Sequence, residues 1–147
     1  MKATGLIAKA QIAINASPEN IWEALTDPAK IKQYMFGSDA KSDFKKNSKI
    51  SFTGEWEGKS FEERGTILDA EPGRLLRYNT FTPQSGKADV EENYHTITIE
   101  LNKNGEKTDV TLSQDNNESE EMTKHSEKNW KMMLDKLKQV VEKEQEL

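Results

Sequence analysis

The stretch HSEKNWKMMLDKL, from His125 to Leu137, decides how the chain is read. At helical spacing its Trp130, Met133, Leu134 and Leu137 fall on one side of a cylinder, and Val140 and Val141 continue the line. Such a stripe must lie on something large and apolar. Upstream, Asn117 followed by Glu120 has the form of a helix start, and the helix then runs to about Lys143, roughly 35–40 Å at 1.5 Å per residue. Glu120 with Lys124, and Glu127 with Lys131, are spaced to pair along its wet side.

The preceding residues supply strands for that rod to rest on. From Leu6 to Ile14 the even positions are apolar (Leu6, Ala8, Ala10, Ile12, Ile14) while Lys9 and Gln11 fall between them, a period of two. Ser17 before Pro18 opens a short helix with Ile21, Trp22 and Leu25 on one face, and Asp27 before Pro28 opens a second through Ile31 and Tyr34. GSDAKSDFKKNS, Gly37 to Ser48, reads as a loop with a brief strand around Ser42 to Phe44. Ile50, Phe52, Gly54 and Trp56 then alternate with polar residues up to a Glu57-Gly58 turn. Phe61 to Ala70 is a longer, less regular strand closed by Glu71-Pro72-Gly73, and Leu75 to Phe81 is another. TPQSGKADVEE, Thr82 to Glu92, is a long polar connection. Tyr94 to Leu101 places His95, Ile97, Ile99 and Leu101 on one face; Asn104-Gly105 is a hairpin signal, with Val110 and Leu112 on the returning strand. Strand, two short helices, five or six strands and one long helix make an α+β chain whose antiparallel sheet is covered on one side. At 147 residues it forms a single domain, residues 1–147.

Three stretches in this order carry a resemblance: INASPENIWEALTDPAKI at 14–31, GTILDAEPGRLLRY at 65–78 and HSEKNWKMMLDKL at 125–137. Together they resemble the START-like or Bet v 1-like (SRPBCC) superfamily and, within it, the family of the activator of Hsp90 ATPase homologue 1. The resemblance implies a helix-grip fold, a strongly bent antiparallel sheet wrapped around the C-terminal helix, often with a cavity for an apolar ligand. It also implies contact with an Hsp90-type chaperone, although the chain corresponds to only one domain of the eukaryotic activator. The chain departs from the family pattern at Tyr34 and Met35, where two tryptophans are common, at Asn47 and Ser48, where Gly-Gly is common, and at Asn129, where glycine is common.

Composition narrows the function. The net charge is -5, with lysines and acids interspersed, so the basic footprint that phosphate backbones require is missing and nucleic acid is not an expected partner. No window offers the roughly 20 apolar residues of a membrane span. Lys9 and Gln11 interrupt the only early apolar run, so a cytoplasmic protein is expected. Without cysteine there are no thiolate ligands or Cys nucleophiles. Two separated histidines give no zinc spacing. Asp115, Asn117 and Ser119 begin like a calcium loop, but Glu120 stands where its glycine belongs and Ser126 where its bidentate acid belongs. No metal or cofactor is expected.

Phe52, Trp56, Ile67, Tyr78, His95, Ile97, Ile99, Trp130, Met133, Leu134 and Leu137 are the candidate ligand-binding residues, facing one another between sheet and helix. A bent sheet and a straight helix touch along a line, so bulky side chains or a small hydrophobic molecule must fill the open end; apolar walls with a few polar tips suit such a molecule. The expected function is binding or sensing of that molecule without catalysis. The alternatives are a co-chaperone-like module stimulating the Hsp90 ATPase, and an enzyme using the same space with His95 as general base.

Overall fold

The computed structural model describes residues 5–56 and 58–145, without the side chains of Trp56, Gln84, Glu144 and Gln145. In chain order it contains β1 (Ala8–Ile14), α1 (Pro18–Thr26), α2 (Pro28–Tyr34), β2 (Asp39–Ser42), β3 (Lys49–Trp56), β4 (Lys59–Glu71), β5 (Leu75–Thr80), β6 (His95–Asn104), β7 (Lys107–Gln114) and α3 (Glu120–Gln145). The strands form one antiparallel, curved sheet in the order β1-β7-β6-β5-β4-β3-β2. This is the helix-grip arrangement, α+β, with the two short helices placed directly after β1.

Local chemistry explains most boundaries. The Asn20 N–H donates to Ser17 Oγ at 3.2 Å and the Ala29 N–H to Asp27 Oδ1 at 3.0 Å, so each short helix has a side-chain cap followed by proline. In β1 the buried residues Ala8, Ala10, Ile12 and Ile14 alternate with exposed neighbours. On α3, Met133, Leu134, Leu137 and Val141 are buried and meet the sheet's inner face, where Ile67, Val110 and Leu112 are also closed to solvent.

Four local expectations give way to tertiary structure. The brief strand is Asp39–Ser42, not Ser42 to Phe44, because it pairs with β3 from Asp39↔Thr53 to Ser42↔Ile50; Phe44 has left the strand with φ 53°. The second hairpin turns on Gly105 and Glu106, since Asn104 pairs with Lys107; Gly105 takes the positive φ that the first residue of such a turn requires. Asn117 does not cap α3: it is buried and its amide donates to the carbonyls of Leu6 and Gln114, both at 2.9 Å. Ser119 Oγ accepts from Met122 N–H at 3.1 Å and is the cap. Glu127 and Lys131 reach β1 instead of each other, Glu127 accepting from Lys9 N–H at 2.9 Å and Lys131 Nζ donating to Gln11 O at 3.2 Å. Of the first hairpin, Glu57 lies outside the described residues.

The contacts of Glu127 belong to a larger device. β1 is an edge strand, and an edge leaves backbone groups unpaired. Glu127 takes Lys9 N–H and Glu142 takes Asn15 N–H at 2.8 Å. Along α3 those glutamates are about 22 Å apart at 1.5 Å per residue, and along the strand the two amides are about 20 Å apart at 3.3 Å per residue. Helix and strand therefore run side by side in the same direction. The α3 backbone lies close to β1, α1 and α2 and only sparsely approaches the other strands. Among the described residues, no helix is long and apolar enough to cross a membrane.

Candidate ligand-binding cleft

Tethered to β1, α3 stands off from the far half of the sheet. The space left there is a cleft of about 730 Å³, open to solvent on one side. Trp130 and Met133, three apart on α3, form its helix wall, with Met132, Asn129, Ser126 and His125 towards the rim. Phe52 and Glu63 form the sheet wall; they are direct partners across β3 and β4, and Phe61 lies two residues before Glu63 and therefore on the same face. Gln114 and Thr82 close one end. Met35, Phe36 and Ser38, just beyond α2, close the other. Phe36 has φ 55° and is 43% exposed, and Lys136 Nζ sits 5.5 Å from its ring centre.

The polar groups are fixed in distinct ways. Trp130 Nε1 donates to Gln114 Oε1 at 2.5 Å, which turns the Gln114 NH₂ away from the indole. His95 Nδ1 lies 3.0 Å from the Asp115 carbonyl; a carbonyl only accepts, so Nδ1 carries the proton and Nε2 is left as acceptor in the neutral ring. Burial pushes the Glu63 carboxyl above its ordinary pKa, and nearby His95 pulls it only part of the way back. Burial likewise raises the Tyr78 hydroxyl, with Glu63 adding to the effect. His125 is exposed and its Nε2 meets Asn129 Nδ2 at 3.2 Å. Among the described residues there is no group of three or more His, Cys, Asp or Glu that could hold a metal ion.

Nine of the eleven residues singled out in the sequence fall into three sets, and His95 and Trp56 stand apart. Phe52, Trp130 and Met133 line the cleft. Tyr78 and Ile99, with Phe52 and Met133 again, surround a deeper void of about 20 Å³, room for a single water. Ile67, Ile97, Leu134 and Leu137 line neither hollow and are 0–2% exposed, packed into the core. His95 is half-buried beside Glu63, outside the cleft wall. The Trp56 side chain lies outside the described residues. Sequence reasoning passed over Phe61, Glu63 and Gln114. Phe61 and Glu63 were within reach, since 61, 63, 65 and 67 share strand parity with buried Ile67.

Residues 15–142 match the family model described as activator of Hsp90 ATPase homolog 1-like protein. Among solved structures, a solution structure of a Cytophaga hutchinsonii protein is 46% identical, with all of both chains covered and a TM-score of 0.84. CalU16 from Micromonospora echinospora is 24% identical, with 89% of this chain and 73% of that chain covered and a TM-score of 0.68. The Aha1 dimer from Colwellia psychrerythraea is 20% identical, with 92% and 95% covered and a TM-score of 0.70. These last two likenesses carry the fold alone. No curated protein matches the chain.

Proposed function

Because the chain belongs to the activator of Hsp90 ATPase homolog 1-like family, we propose that it uses the family's fold as a cytoplasmic carrier or sensor of a small apolar or amphipathic molecule. The observation that carries this reading is the cleft: its 730 Å³ fall within the range of about 300–1,000 Å³ usual for small-molecule sites. Its apolar walls are aromatic and methionine side chains on β3, β4, α3 and the turn after α2, and polar side chains, Glu63, Gln114 and Asn129 among them, are set between them. The core beneath is packed, so the ligand sits near the surface between α3 and the strands β3 and β4. A molecule losing about 300 Å² of apolar surface there gains about 7 kcal/mol before the cost of association, which sets affinities at micromolar or weaker.

That range calls for a method sensitive to weak binding. The indole N–H of Trp130, held by Gln114 at the cleft wall, is the reporter. Titration with lipids, flavonoids and polyaromatic compounds should shift its resonance while leaving that of Trp22 in place. A panel that moves neither this resonance nor the melting temperature sinks the proposal.

The family description supports a second reading, engagement of an Hsp90-type chaperone. Added to a purified Hsp90, an activator raises ATP turnover, whereas a ligand carrier leaves it unchanged. An enzymatic use of the same region would centre on His95, whose Nε2 is left as acceptor beside Glu63; His95→Ala would then abolish turnover while binding persisted.

A further inference from the structure

Resting on the ligand-binding reading, we infer that the cleft selects cationic amphiphiles: molecules with an apolar body and a protonated amine that pairs with the carboxylate of Glu63. Among the described residues lining the cleft, Glu63 is the one acid, and there is no lysine or arginine. Several acids elsewhere in the chain have partners of their own. Asp89 meets Arg64 and Tyr94, Glu142 meets Lys138 and Asn15, and Glu127 meets Lys9. The Glu63 carboxyl has no hydrogen bond or ion pair with any described residue, and its oxygens open into the cleft, where a ligand can reach them.

Its immediate surroundings are apolar. Phe52 stands directly across the strand pair and Phe61 lies next along the same face. Half-buried between two aromatic rings, the carboxylate is only partly solvated, and burial raises its pKa accordingly. The titratable groups facing it are Tyr78 on β5 and His95 on β6, with His125 across the cleft on α3. His95 already spends its Nδ1 proton on the Asp115 carbonyl. A ligand ammonium would supply Glu63 with a charge-assisted hydrogen bond, and the rings of Phe52, Phe61 and Trp130 favour a cation as well. An anionic headgroup meets the opposite conditions, a like charge and no lysine or arginine in the wall.

Decylamine, decanol and decanoate share one apolar body and differ in the head, so they separate the two claims. By calorimetry and the Trp130 indole signal at neutral pH, decylamine should bind about tenfold tighter than decanol, and decanoate weakest of all. Glu63→Gln should erase the advantage of the amine over decanol, bringing the two affinities together. The substitution removes a desolvated charge, so its melting temperature should match or exceed that of the parent, and the comparison is made on folded protein. Equal binding of the three compounds, tighter binding of decanoate, or an amine preference that survives Glu63→Gln overturns the role of Glu63 while the cleft remains a binding site. Failure of all three to bind overturns both.

Discussion

Replacing Gly65 with alanine should open the sheet where β4 meets β5. A Cβ built on Gly65 would fall 1.7 Å from the Asn79 carbonyl oxygen, 2.6 Å from its carbon and 2.7 Å from Asn79 Oδ1. Normal contact needs about 3.5 Å, so the two backbones must part by nearly 2 Å. Three hydrogen bonds cross this point: Arg64 N–H to Phe81 O at 3.0 Å, Phe81 N–H to Arg64 O at 2.7 Å, and Thr66 N–H to Asn79 Oδ1 at 2.8 Å. At about 1 kcal/mol each their loss amounts to about 3 kcal/mol. Alanine restricts the unfolded chain and returns about 0.5 kcal/mol, while the loosened packing of Ile67 against Tyr78 takes at least that much away. For a domain of this size about 3 kcal/mol lowers the melting temperature by roughly 6–12 °C. Thermal unfolding by circular dichroism, with urea midpoints at constant slope, measures it. A loss below about 1 kcal/mol would mean that β4 and β5 can separate freely, and the account of Gly65 as the close-approach point would be wrong. Gly54→Ala is the control: its Cβ would crowd the tip of the Phe61 ring, at 2.8 Å, which can swing into the cleft, and meets backbone only at an ordinary 3.7 Å from Ser38 Cα.

Three further outcomes follow from single contacts. Leu134→Ala should cost about 2–5 kcal/mol in urea unfolding, because the side chain is fully buried, while Met132→Ala, 44% exposed at the cleft rim, should stay within about 0.5 kcal/mol. Ser119→Ala should cost about 1 kcal/mol as a lost cap, and Asn117→Ala should cost more, since it removes a buried side chain that donates two hydrogen bonds, to the carbonyls of Leu6 and Gln114; the reverse order would restore Asn117 as the cap. Burial works to raise the pKa of Glu142, but Lys138 and the Asn15 N–H outweigh it and hold the carboxyl below its ordinary 4.5. A depressed folded-state pKa contributes stability above the unfolded value and loses it as pH falls through the folded one. The urea midpoint of the parent should therefore exceed that of Glu142→Gln near neutrality, and the gap should close progressively as the pH falls below 4.5.

Elements whose signals are local were legible in the sequence. Alternation in β1 and β6, the Ser17 and Asp27 caps and the apolar stripe of α3 each depend on neighbours a few residues away. Asn117 and Glu127 were misread for the opposite reason. Asn117 is bound to Leu6, and Glu127 to Lys9, partners more than a hundred residues distant whose proximity exists only once α3 lies along β1. The candidate site divides on the same line. Periodicity told which side chains face inward, so Phe52, Trp130 and Met133 could be placed between sheet and helix. It carried no measure of the gap between the elements, and so did not separate the cleft wall from Ile67, Ile97, Leu134 and Leu137, which pack solidly.

That gap is set at a distance from the cleft. Glu127 and Glu142 bind amides at two ends of β1, and their spacing along the helix matches that of the amides along the strand, so α3 can neither slide nor pivot without breaking one of them. A helix fixed to one edge of a curved sheet must draw away from the strands at the other side, and the large side chains of β3 and β4 fill only part of the difference. The polar contacts of an edge strand thereby determine the width of an apolar hollow on the far strands. Weakening the one beside the cleft, as in Glu127→Gln, should reach the ligand as well as the stability: with that end of α3 freer to settle towards β4, Trp130 and Glu63 approach, the volume available to an amphiphile shrinks, and decanol should bind more weakly by calorimetry.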